Sequence, residues 1–409
     1  MSFTVTTFGR TALPSSAPAA AATVFALLRR LNIGTLDLQL PDGSQMRFGN
    51  GAAGQPHASL RLHNWAVCAA VLRSGDIGFA ESYIAGDWAT ADLVALLQLF
   101  VANRQAIDTM VYGSWWGKWL HRARHLVNRN SRAGSQRNIH AHYDLGNAFY
   151  GLWLDPTMSY SSAWFDGQPE QSMVIGQQAK MRRALDECGV GPGSRVLEIG
   201  CGWGAMAEFA VADYRARVTG VTLSREQLAY AQDRLTNAGL AEHAELRFQD
   251  YRDIDDAPFD AIVSIEMFEA VGREYWGGYF ASLRRLLKPG AQACIQSITI
   301  RDDLFERYVA GTDFIQQYIF PGGLLPSVSA FKTEAAKAGL EVVNILAFGA
   351  DYASTLRRWR ADFLRQETQV RALGFDTRFM RTWEFYLAYC EAAFAAGNTD
   401  VVQFTLRRP

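Results

Sequence analysis

Arg195-Val-Leu-Glu-Ile-Gly-Cys-Gly-Trp-Gly204 is the stretch whose reading decides the fold. Apolar residues around a single acid make a short buried strand, and the glycines that follow allow a tight turn into a helix. The backbone at the strand's carboxyl end is therefore free to approach a ligand closely. Outward from this point, further strands are predicted at Arg217 to Val221, Ala244 to Gln249, Ala261 to Ile265 and Ala291 to Ile295. Helices are predicted between them at Gly204 to Tyr214, Arg225 to Ala238 and Tyr275 to Leu287, and Lys288-Pro289-Gly290 supplies a stop and turn before the last strand. Strands alternating with helices indicate an α/β protein with a doubly wound, parallel core.

The glycines do not name the ligand, because Gly200, Gly202 and Ala205 also satisfy a dinucleotide fingerprint. Charge separates the alternatives. Glu198 stands two residues before Gly200, where a carboxylate would crowd a pyrophosphate but would suit the ammonium and sulfonium groups of S-adenosylmethionine (SAM). The second strand ends in Gly220-Val-Thr-Leu-Ser224, without the acid that dinucleotide enzymes place there for the ribose hydroxyls. Thr222, Ser224 and Gln227 are left to serve the ribose and methionine ends. The expected core is that of a class I SAM-dependent methyltransferase.

With 409 residues, 49% of them hydrophobic, the chain can fill two cores. The boundaries read from the sequence are a flexible lead-in over 1–20, a small mixed N-terminal domain over 21–112, a basic aromatic linker over 113–138 and the catalytic domain over 139–409. A formal net charge of −1 argues against a nucleic-acid partner. Five widely spaced cysteines without a CxxC pair argue against a disulfide framework or a zinc site and for the cytoplasm. Ala17 to Leu28 is too short to span a bilayer. Trp115, Trp116 and Trp119 with Lys118, Arg122, Arg124, Arg129, Arg132 and Arg137 suit an anionic membrane surface, or equally a solvated linker. His140 and His142 form an HxH pair with no third ligand, so no metal is expected.

Seven ordered motifs run through the second half: HYDLGN (His142 to Asn147), LDPTMSYSSAWF (Leu154 to Phe165), LEIGCGWG, TLSREQ, FQDYRD, MFEAVG and YIFPGGLLPS. Through them the chain resembles the cyclopropane fatty acid synthases and mycolic acid cyclopropane synthases, from Ile139 to the C-terminus. ESYIAGDW (Glu81 to Trp88) is similar to the N-terminal domain of the phospholipid-acting branch. The resemblance implies SAM as donor and an unsaturated acyl chain as acceptor, esterified in phospholipid at the inner membrane surface. It also implies SAM contacts from Tyr160, Ser161, the turn Gly200, Gly202 and Gly204, the run Thr222, Ser224 and Gln227, and the pair Asp250 and Tyr251. The expected product is a cyclopropane fatty acid, made by a cytoplasmic enzyme peripheral to the membrane; a homodimer is allowed for.

In that family a bound bicarbonate serves as base, held by a cysteine, a glutamate, a histidine and a tyrosine. Matched residue by residue, the glutamate is Glu269, with Glu266 the nearer rival, and the tyrosine is Tyr352; the cysteine position holds Ser162 and the histidine position Gln296. Serine and glutamine can donate hydrogen bonds but cannot carry positive charge. Weaker anion binding is expected, with a methylene- or methyl-branched product as the alternative. The same core would also serve a small-molecule methyltransferase or a SAM-binding lipid protein without catalysis.

Overall fold

A computed structural model describes residues 13–52, 54–106 and 145–409. The lead-in up to residue 12, the basic segment between Trp115 and Arg137, and His140 and His142 lie outside the described residues. Two compact units are present among the described residues, one made of those up to 106 with Gly374–Ala396, the other of those from 145 to 373 with Gly397–Pro409.

In the first unit, β1 (Thr35–Gln39), β2 (Gln45–Gly49), β3 (His57–Leu62) and β4 (Trp88–Ala89) form a sheet in the order β2-β1-β3-β4. The alternating run Leu36 to Met46 is a hairpin, turned where the Asp42 carboxylate accepts from the Ser44 amide at 3.0 Å. The helix Thr377–Ala395 belongs to this unit, although the sequence reading assigns all of 139–409 to the catalytic domain. Its apolar face accounts for the difference: it buries Trp383, Phe385 and Leu387, and Glu384 accepts from the Tyr83 hydroxyl at 2.7 Å. Arg381 donates to the Tyr83 carbonyl at 2.7 Å and stands over its ring.

The second unit is built on β5 (Arg195–Ile199), β6 (Arg217–Thr222), β7 (Ala244–Phe248), β8 (Phe259–Ile265), β9 (Leu287–Ile300), β10 (Glu341–Ala347) and β11 (Thr399–Arg407), ordered β10-β11-β9-β8-β5-β6-β7. Strands β5 to β9 pair in parallel, whereas β11 runs antiparallel to both β9 and β10. Both faces are covered. Leu197, Ile199 and Ile262 point into one core with Phe280, Leu283 and Phe404; Val196 and Val263 point into the other with Met206, Phe209 and Leu235. The period-two alternation of a strand thus feeds two cores from one apolar run.

The fifth strand is longer than Ala291 to Ile295 and takes in Lys288-Pro289-Gly290, with its register against β8 shifting between Phe259 and Ala261. The neighbouring C-terminal chain sustains it: the Gly290 amide donates to the Arg408 carbonyl at 2.7 Å and the Arg408 amide to that of Ala291 at 3.0 Å. Strand order reverses beside β5, between β6 and β8. In doubly wound sheets that switch point is where ligands bind, outside the carboxyl ends of the strands.

Candidate active site

A cavity opens at the carboxyl ends of β5, β6 and β8, and Gly200 and Gly202 form part of its wall. Gly200, Gly202 and Gly204 all have positive φ, which favours residues without a Cβ. A Cβ on Gly204 would meet the Ala231 Cβ at 2.9 Å, so this glycine serves helix packing. A Cβ on Gly202 would meet nothing, which leaves its backbone open to a ligand. Tyr160, Ser161, Thr222, Gln227, Asp250 and Tyr251 also line the cavity.

Gly204 and Ser224 are not among its lining residues. The Ser224 hydroxyl instead caps the helix Arg225–Asn237, accepting from the Gln227 amide at 3.2 Å. Ser224, expected at the cofactor, thus caps this helix and satisfies an otherwise orphaned donor through one lone pair of its hydroxyl. Asp250 is paired with Arg252 at 2.5 Å.

Glu198 supplies the test of what the cavity fits. It is 4% exposed, its Oε2 has no hydrogen-bond partner, and burial pushes its carboxyl up to about 8. A buried carboxyl without a partner is costly to ionise, and a cation placed in the cavity relieves that cost. The donor set fits SAM: an acid for positive charge, Thr222 and Gln227 for polar ends, and open glycine backbone between them.

Beside this cavity stands a second constellation, centred on Glu266. Its Oε1 accepts from the Ser162 amide at 2.8 Å and from the Gln296 side-chain amide at 2.7 Å. Its Oε2 accepts from the Tyr352 hydroxyl at 2.7 Å. Three of the groups expected to hold an anion thus converge, but on a carboxylate of the chain itself. The expected use of the Ser162 hydroxyl is corrected: it donates to the Ala163 carbonyl at 2.8 Å, and the backbone amide takes its place. With these donors engaged by Glu266, the residues present do not fit bicarbonate.

Local backbone geometry delivers Glu266 to that point. It follows β8 directly, has φ of +50°, and its amide donates to the Gln296 carbonyl at 2.8 Å. A left-handed conformation costs a residue with a side chain about 1–2 kcal/mol. Such strain persists only where the surroundings enforce it, commonly at functional sites.

Glu269 lies three residues on, at the start of the next helical turn. One oxygen accepts from the Ile298 amide, while the other is buried without a partner. Burial, with the Glu266 carboxylate nearby, pushes Glu269 up to about 8. Burial also raises Glu266, but Lys180, Tyr352, Ser162 and Gln296 oppose it. Of the two acids, Glu266 has three donors that favour its charged form, whereas Glu269 has one donor and an unpartnered oxygen. Two nearby acids held in such different surroundings are the pattern from which a base and an acid are distinguished.

Residue-by-residue reasoning missed three contributors. Lys180 is wholly buried in the helix Met173–Glu187, donates to the Ser161 hydroxyl and lines the cavity. Its signal was available: Gln177, Lys180, Met181, Ala184 and Leu185 fall on one apolar stripe, where a lysine is out of place. Gln403 in β11 donates to the Gln296 side-chain oxygen at 3.0 Å, and Arg183 donates to Gln403 at 2.7 Å. This chain fixes which end of the Gln296 amide faces Glu266, because the Gln296 oxygen is already committed to a donor. Aromatic rings close the site, with Tyr160 at 5.4 Å from Tyr150 and from Trp359, and 5.6 Å from Trp153.

Comparison with known proteins agrees with the fold and with a cavity for SAM. The family profile described as mycolic acid cyclopropane synthetase matches residues 130–404. The tuberculostearic acid methyltransferase of Mycobacterium tuberculosis is 40% identical over 96% of this chain and 92% of its own length. The cyclopropane-fatty-acyl-phospholipid synthase of Escherichia coli is 33% identical over 91% of this chain and 96% of its own. A solved structure of a mycolic acid cyclopropane synthase complexed with SAH superposes with a TM-score of 0.62 at 33% identity, covering 66% of this chain and 97% of that one. A class I α/β core, a cavity suited to SAM and a match across two thirds of the sequence lead to one conclusion: the chain belongs to the mycolic acid cyclopropane synthetase family of SAM-dependent methyltransferases.

Proposed function

We propose that this protein methylates the double bond of an unsaturated acyl chain of a membrane phospholipid, with Glu266 as the base that completes the reaction. The observation that carries the reading is the convergence of the Ser162 amide, Gln296 and Tyr352 on the Glu266 carboxylate. SAM, when bound, supplies an electrophilic methyl whose transfer to one alkene carbon leaves a cation on its neighbour. Tyr160, at the junction of the cavity and the aromatic cluster, presents a ring face suited to positive charge. The same rings exclude water, which would otherwise trap the cation.

Glu266 then takes a proton. Once a hydride has shifted onto the cationic carbon from the methyl-bearing carbon, loss of a proton from the new methyl group leaves an exocyclic methylene, the C–H pair becoming the second bond of the alkene. Without that shift, loss of the same proton closes a cyclopropane, the C–H pair becoming the ring bond. We favour the branched product, because the relative aligned over 96% of this chain is named a methyltransferase and because a glutamate stands where a mobile anion was expected. The cyclopropane is the second reading, supported by the Escherichia coli relative aligned over 91%.

The two products share one mass but not one chemistry. Liposomes of a monounsaturated phospholipid incubated with enzyme and SAM are expected to gain a lipid heavier by one methylene unit that ozone cleaves to a ketone. An ozone-resistant product of the same mass overturns branching in favour of the ring, and no product on unsaturated lipid overturns the substrate class.

A further inference from the structure

We infer that Lys180 is a positioning residue that keeps the neighbouring Glu266 in its charged, proton-accepting form; the inference rests on the reading of Glu266 as the base. Lys180 sits on the buried stripe of the helix Met173–Glu187, between Gln177 and Ala184, a position that aliphatic residues commonly fill. It donates to the Ser161 hydroxyl, and the next residue along, Ser162, donates its amide to Glu266. Lys180 and Glu266 line the same cavity wall. One strand of chain thus binds the cation through one serine and the carboxylate through the next.

A buried ammonium and a buried carboxylate are each expensive alone and tolerable together. Their attraction acts on both: it pulls Glu266 down against its burial and holds Lys180 up against its own, which still brings the lysine to about 8. Asp155 also attracts Lys180, and Glu269 and Tyr352 face Glu266, while Glu198 and Asp250 share the cavity wall. Among these groups Lys180 is the cation at the pocket's base side, and Arg252 is committed to Asp250. Neutralising Lys180 therefore leaves Glu266 to its burial, and its proton affinity rises.

Turnover requires ionised Glu266, so its loss on acidification sets the acid limb of the rate profile. In Lys180→Met that limb is expected to move upward by on the order of one pH unit or more, because an opposite charge nearby accounts for a displacement of that size. Lys180→Arg, which keeps the charge, is expected to hold the limb closer to its original place. SAM affinity, measured by calorimetry, serves as the second readout and is expected to be little changed. A limb that stays in place while SAM binding weakens overturns the inference and makes Lys180 a ligand of the cofactor's carboxylate.

Should Lys180→Met be inactive, thermal midpoints still decide. The substitution is expected to lower the midpoint of the wild-type background and to leave or raise that of Glu266→Gln, where the lysine has lost its counter-charge; equal effects in both backgrounds contradict the pairing. If Glu266→Gln itself turns over normally, it is the assignment of the base that has failed and not the placement of Lys180 beside it.

Discussion

At the scale of single residues, the site separates three buried acids by their surroundings. Glu198 has an oxygen without a partner and a carboxyl raised to about 8 by burial, so burial alone favours its protonated form at neutral pH. Binding of a cation favours the ionised form. SAM affinity is therefore expected to climb as pH rises toward 8, by up to about tenfold per pH unit, with a proton released on binding. Calorimetry in buffers of different ionisation heat measures that proton, and Glu198→Gln should abolish both the proton and the pH dependence. Glu198 was legible in the sequence because its position relative to the glycine turn is enough to define its neighbour. The choice between Glu266 and Glu269 was not, since three residues on an irregular turn can face different ways. It took the positive φ of Glu266 and its three donors to separate them.

At the scale of elements, the parallel strands and their helices were readable from apolar runs and glycine punctuation, within a residue or two for β5, β6 and β7. The antiparallel pair β10 and β11 was not. Glu341–Ala347 alternates poorly and is largely exposed, and β11 carries Gln403 and Thr405 at fully buried positions that read as surface. Gln403 earns its burial by bonding Gln296, Arg183 and the Lys180 carbonyl. Replacing it by Leu leaves the Gln296 oxygen unpaired, at a cost of about 1–3 kcal/mol in stability. It also frees the amide to turn away from Glu266, so kcat should fall while the KM for SAM holds. A thermal melt and a steady-state assay check the two effects separately. The helix Thr377–Ala395 escaped the sequence reading for a related reason: its amphipathic pattern announces a buried face without naming the partner, and the partner lies some 300 residues earlier, at Tyr83.

For the molecule as a whole, no helix among the described residues is long and apolar enough to cross a membrane, yet the proposed substrate is a lipid. Net charge is −1, so attraction to an anionic surface has to be local. The run from Trp115 to Arg137 contains six cations and no acid, each cation near such a surface contributing about 1 kcal/mol. Changing Arg122, Arg124 and Arg129 to Gln should weaken sedimentation with anionic liposomes and flatten its salt dependence. Recognition at the membrane and chemistry at Glu266 are separable, and the chemistry is the central claim. It is tested most directly by single-turnover methylation of a soluble unsaturated acyl substrate by Glu266→Gln and Glu269→Gln, each at saturating SAM. With Glu266 as the base, its variant should lose about 100-fold or more in rate while still binding SAM, and Glu269→Gln, which replaces one neutral group by another, should lose far less. The reverse order, with Glu266→Gln active and Glu269→Gln dead, would contradict the account.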